Sequence, residues 1–136
     1  MKRVLIDANV LIDVFTDDPD WADWSVQALE EVATGGQVLI NPIIYAEVSI
    51  AFKSVKRLDT ALDKLGIERA ELPYPAAFLA GKAFLKYRQR GGLKRSPLPD
   101  FYIGAHAQQA GFAILTRDAN RYRTYFPKVK LICPKG

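Results

Sequence analysis

Unbroken aliphatic runs that stop at a carboxylate constrain this chain more than any other feature. Val4-Leu5-Ile6 runs without alternation into Asp7, and Phe112-Ala113-Ile114-Leu115 runs into Thr116-Arg117-Asp118. Consecutive apolar positions mark a strand buried on both faces, the pattern of a parallel sheet covered by helices. Each acid then stands where a strand ends. In open parallel sheets ligands collect beyond the carboxyl ends of the strands, near the point where strand order reverses, so both acids are site candidates. A plainer reading also holds for Asp7, which can cap a helix running from Asn9 to Phe15.

The remaining segments alternate in the same way. Thr16-Asp17-Asp18-Pro19 reads as a turn into a second helix, with Asp18 as N-cap, Pro19 in its first turn and Gly35-Gly36 at its end. Trp21, Trp24, Ala28, Leu29 and Val32 share its apolar spacing; a core role suits the two tryptophans, while an exposed pair would mark a partner surface. Gln37 to Ile40 is a strand, Pro42 to Phe52 a helix, Arg57 to Leu65 a short helix closed by Gly66, and Ile67 to Leu72 a strand or extended link. A long helix spans Ala76 to Gln89, another begins at Leu98, a short one runs from Ala119 to Tyr125, and Val129 to Ile132 is the last strand. The expectation is one α/β domain over residues 1–136, with about five parallel strands joined by right-handed crossovers, strand one central and the Phe112–Leu115 strand beside it.

Three positions carry chemistry beyond the strand ends. Glu47 has Ile43 and Ile44 before it and Ile50 and Ala51 after it, in the middle of an apolar stripe. An unpartnered buried carboxylate there costs about 3–5 kcal/mol, so a cation must face it, either an Arg or Lys in a buried ion pair or a metal ion, which is the preferred account. Asp100 shares a helix face with Ile103, Gly104 and Ala107; it is either a first-turn capping acid or a second pocket carboxylate. Lys86 and Tyr87-Arg88-Gln89-Arg90-Gly91-Gly92-Leu93-Lys94-Arg95 form a basic, glycine-containing stretch, either a solvated face or a loop that binds backbone phosphates. His106 lies off the Asp100 face and reads as a surface or interface residue.

Composition narrows the chemistry. One cysteine, Cys133, and one histidine, His106, exclude an internal disulfide and a Cys/His zinc set, so any metal is held by oxygen. Nineteen Lys and Arg stand against fifteen Asp and Glu. Reserving four acids for one pocket leaves 11 against those 19 cations, a field suited to a polyanionic partner. Apolar runs are too short to span a membrane and Met-Lys-Arg leads directly into a strand, so a cytoplasmic location without membrane association is expected. If Asp7, Glu47, Asp100 and Asp118 converge, they repel one another unless a divalent cation neutralises them. Hard oxygen ligands select Mg²⁺ or Mn²⁺, and the chemistry this permits is phosphodiester hydrolysis.

Leu5-Ile6-Asp7-Ala8-Asn9-Val10-Leu11, Glu47, Leu98-Pro99-Asp100 through Ala107, and Leu115-Thr116-Arg117-Asp118 together resemble the PIN-domain family, in particular the VapC-type ribonuclease toxins of toxin–antitoxin pairs. The resemblance runs from Val4 to about Ile132. It implies Asp7, Glu47, Asp100 and Asp118 as metal-site acids of an endoribonuclease, with Asn9 and Thr116 orienting ligands or water. RNA-contacting cations are expected at Arg88, Arg90, Lys94, Arg95 and Arg117. It further implies a homodimer and a cognate antitoxin whose C-terminal segment inserts near the acids, with the Trp21/Trp24 helix and the Tyr45 to Phe52 region as its groove. Phe101-Tyr102 and Gly104 stand where many members of that family have smaller or Ala residues, which bears on the pocket wall and substrate preference. Two alternatives stand beside this. Asp7 with Asn9 two residues on also resembles phosphatases of the haloacid-dehalogenase type, although that pattern wants a second Asp at position 9. A catalytically inactive RNA-binding module is the other.

Overall fold

A computed structural model of the chain describes residues 2–91 and 98–135. Five strands form one sheet: β1 (Lys2–Ile6), β2 (Gly36–Ile40), β3 (Glu68–Arg69), β4 (Ala113–Leu115) and β5 (Leu131–Ile132). Their order is β3-β2-β1-β4-β5 and every pairing is parallel, with Leu5 beside Leu39 on one side and Ile114 on the other. The expected α/β class, the central first strand and its β4 neighbour are all present. Between the strands run α1 (Ala8–Thr16), α2 (Ala22–Gly35), α3 (Pro42–Ser49), α4 (Val55–Lys64), α5 (Tyr74–Gln89), α6 (Leu98–Ala110) and α7 (Asn120–Tyr125).

Burial explains why the unalternating runs form the sheet centre. Val4, Leu5, Ile6, Ile114 and Leu115 are almost fully buried, sandwiched between helices through Leu11, Ile44, Phe101, Ile103, Tyr122 and Phe126. Two glycines set how closely elements approach. A Cβ on Gly36 would stand 2.2 Å from the Lys2 carbonyl oxygen, so the start of β2 lies directly against β1. A Cβ on Gly104 would stand 2.3 Å from the Phe126 ring, which fixes α6 against the chain after α7. The small face expected around Asp100 is therefore a packing face.

Several boundaries differ from expectation. Helix α2 begins at Ala22, not at Pro19: the Asp18 carboxylate accepts from the N–H groups of Asp20 and Trp21 and holds a turn ahead of the helix. Helix α3 stops at Ser49, three residues short of Phe52, where Ile50 is largely exposed. His106 is not at the surface. It is buried beneath α3, its Nδ1 3.1 Å from the Asn41 side-chain amide, while Asn41 Oδ1 caps α3 by accepting from the Ile44 N–H at 2.9 Å. The amide donates to Nδ1, and burial lowers the pKa of the ring, so His106 is a neutral structural residue. Among the described residues no helix is long and apolar enough to cross a membrane.

Candidate active site

The backbone brings the two strand-end acids to one place. The Asp7 N–H donates to the Leu115 carbonyl at 2.9 Å, extending the β1–β4 pairing by one residue, and the Thr116 N–H donates to Ile132. Asp7 is thereby set beside Thr116. Its Oδ1 accepts from the Ala8 N–H at 2.8 Å, so the helix-capping reading is correct. Capping uses one oxygen only. Oδ2 accepts from the Thr116 hydroxyl at 2.9 Å and from the Tyr122 hydroxyl at 3.0 Å.

Asp7, Glu47, Asp100 and Asp118 line a single open pocket of about 250 Å³, with Ala8, Asn9, Ile12 and Ile50 completing its wall. Asp7 and Asp118 reach it from the ends of β1 and β4, Glu47 from α3 and Asp100 from the first turn of α6. The carboxylates share a pocket without closing into a tight cluster: no three of the described Asp, Glu, His or Cys residues converge as a ready-made set of metal ligands.

Electrostatics shows what the arrangement lacks. Burial, with repulsion from Asp100, pushes the Asp7 carboxyl from 3.8 up to about 6 despite its three hydrogen bonds. Burial followed by repulsion from Asp7 and Asp100 pushes Glu47 up to about 7. Asp100 is also raised, chiefly by burial, although Arg121 opposes the shift by donating from Nη1 to Asp100 Oδ2 at 2.8 Å. Tyr122, buried against these acids, is driven well above its ordinary value and stays a neutral donor. Oε1 of Glu47 is buried with no hydrogen-bond partner. No Arg or Lys pairs with Glu47 among the described residues, so the buried ion-pair reading fails for this acid. An orphaned carboxylate oxygen among mutually repelling acids fits an oxygen-ligated divalent cation.

Asn9 and Thr116 link the two strand ends by hydrogen bonds. The Asn9 side-chain amide donates to Thr116 Oγ1 at 3.2 Å, and Asn9 Oδ1 accepts from the Arg117 N–H at 3.3 Å. Thr116 Oγ1 accepts in turn from the Asp118 N–H at 3.1 Å, so one hydroxyl ties Asp7 to the loop carrying Asp118.

The expected RNA-contacting cations fare differently. Arg117 is engaged elsewhere: its Nε and Nη2 donate to the two oxygens of buried Asp13 at 2.8 and 3.1 Å, and its guanidinium lies 5.4 Å from the Trp21 ring centre. Arg88 rests over Phe84 and Arg90 over Tyr125, and neither lines the acidic pocket. Lys94 and Arg95 lie outside the described residues. Sequence reasoning missed Tyr122, Arg121 and the Asp13–Arg117 pair. Only Tyr122 left a trace, as an aromatic inside the short helix after Asp118; the two ion pairs join positions 21 and 104 residues apart, with no local pattern to announce them.

A five-stranded parallel α/β sheet with acids from two strand ends and two helices gathered at its switch point defines an acidic-pocket protein of the open-sheet class. Within that class, the chain belongs to the PIN domain family, whose model matches residues 4–127. This decides against the haloacid-dehalogenase alternative. No curated protein matches the sequence. Among solved structures, VapBC2 from Rickettsia felis bound to a promoter DNA fragment is similar at a TM-score of 0.74 and 18% identity, over 98% of this chain and 99% of that one. A toxin–antitoxin complex from Klebsiella pneumoniae gives 0.71 and 25%, over 97% and 98%. VapC20 from Mycobacterium tuberculosis, described as a sarcin-ricin loop cleaving toxin, gives 0.60 and 11%, over 93% and 98%.

Proposed function

We propose that the chain is a VapC-type toxin, a Mg²⁺- or Mn²⁺-dependent endoribonuclease that hydrolyses RNA phosphodiester bonds. The observation that carries this reading is the unpartnered Oε1 of Glu47, in a pocket whose other acids raise its pKa instead of neutralising it. Asp7, Glu47, Asp100 and Asp118 would hold the cation. When bound, a divalent ion supplies activation of the attacking water and neutralisation of charge on the phosphate and the leaving oxygen. The chain's own residues do the rest. Thr116 and Tyr122 fix Asp7 Oδ2 by two donated hydrogen bonds, Asn9 fixes Thr116, and Arg121 holds Asp100 Oδ2, so the acids are oriented before any ligand arrives.

The partners follow from the same reading. Exposed Ile50 stands at the rim of the acidic pocket, at the end of α3, which supports a groove there for the C-terminal segment of an antitoxin. Tyr74, Phe78 and Leu85 are exposed along α5, an apolar surface that supports a homodimer. The protein acts in the cytoplasm, where its RNA substrate is.

The test is cleavage of RNA by metal-free protein to which Mg²⁺ or Mn²⁺ is returned, with Asp7→Asn and Glu47→Gln alongside. Cleavage that needs the metal and falls at least a hundredfold in both variants supports the proposal. RNA binding without cleavage would favour the inactive binding module. Metal-independent cleavage, or full activity in both variants, refutes the assignment of these acids.

A further inference from the structure

A second pocket, of about 210 Å³, adjoins the acidic one and shares Asp118 with it. Its lining differs in charge. Trp21, Arg117, Asn120 and Arg123 of α7, and Lys135 line it together with Asp118. The Arg117 charge is consumed by buried Asp13, so Arg117 serves to brace the Trp21 ring. Arg123 and Lys135 have no carboxylate partner among the described residues; Arg123 Nη2 donates a hydrogen bond to the neutral Cys133 Sγ at 3.2 Å. An aromatic ring, a side-chain amide and two unspent cations are the groups that hold one unpaired nucleotide, through stacking, base-edge hydrogen bonds and phosphate contacts.

We propose that this pocket binds the nucleotide next to the cleaved phosphodiester, with its base against Trp21 and Asn120 and its phosphate on Arg123 and Lys135. This rests on the ribonuclease reading and adds to it which cations hold the strand and what state the strand is in. Stacking on Trp21 and a base-edge hydrogen bond to Asn120 both need an unpaired base, so the RNA is single-stranded where it passes Asp118. Arg123 and Lys135 thereby join the cations expected to contact RNA.

Binding of a single-stranded oligoribonucleotide to Asp7→Asn protein, which holds RNA without cutting it, is measured across a salt series and compared with Asp7→Asn carrying Arg123→Ala and Lys135→Ala. Loss of two phosphate contacts is expected to weaken binding about tenfold or more at low salt. It also makes the slope of log K against log salt shallower by about 1.4. Lys128→Ala with Lys130→Ala, on the opposite end of the sheet, is the charge-matched control and leaves the slope unchanged. A blunt RNA duplex is expected to compete poorly with the single strand. If the Arg123/Lys135 variant keeps the parent affinity and slope, if the control loses as much, or if the duplex competes equally, the subsite is overturned while the ribonuclease reading survives. If the parent binds no RNA at all, both fall.

Discussion

Replacing Asp7 by Asn should make the metal-free protein more stable at neutral pH while removing its activity. The carboxyl is raised from 3.8 to about 6, so the folded state binds a proton more tightly than the unfolded chain does. Stability is therefore highest when Asp7 is protonated, falls as pH rises from about 4, and has lost its full increment above about 6. At about 1.4 kcal/mol per pH unit that increment is about 3 kcal/mol. Asp7 is 5% exposed, so solvent screens little of it. Asn imitates the protonated acid. It keeps an oxygen for the Ala8 N–H, while its amide nitrogen stands where Oδ2 accepted, so the Thr116 and Tyr122 hydroxyls must turn and accept from it. Thermal unfolding in a chelator at pH 4, 6 and 8 tests this. Near pH 4 the two proteins should melt alike; at pH 8 the Asn variant should melt roughly 10 °C higher. Saturating Mg²⁺ should close the gap by stabilising the wild type alone, since a ligand bound only to the folded state adds to its stability. A variant less stable at pH 8, or parallel pH profiles, would refute the claim that this pocket is strained by unneutralised charge.

Two further outcomes concern packing around the site. Arg117→Ala leaves Asp13, 1% exposed, with only the Ser25 hydroxyl at 2.8 Å, and should cost about 3 kcal/mol in chemical denaturation; Asp13→Asn in the same background should recover much of it. Gly104→Ala drives a methyl group into the Phe126 ring and should cost about 1–3 kcal/mol, read as a lower denaturant midpoint at unchanged slope.

Local patterns in the chain foretold much of this. Val4 to Ile6 and Phe112 to Leu115 could be read as central strands because a sheet covered on both faces needs no alternation, and the acid ending each run had to stand at the sheet's carboxyl edge. Glu47 was readable for a different reason: an acid in an apolar stripe demands a counter-charge, and the structure supplies none from the described cations. The resemblance carried Asn9 and Thr116. His106 was misread because its partner, Asn41, lies 65 residues away, so no nearby residue shows what would satisfy a buried imidazole. The Asp13 partner of Arg117 was not readable because a cation beside an acidic site looks available until its partner is known, and Asp13 is 104 residues distant.

The amino-acid pattern was enough for the alternation of strands and helices, the parallel sheet and the acids at its edge, because burial and strand periodicity act within a few residues. The fold had to form before it was settled which cations are spent and which are free, that Tyr122 clamps Asp7, and that a basic pocket continues past Asp118. Charge pairing and pocket shape depend on distances across the molecule, and those are fixed when the helices pack onto the sheet.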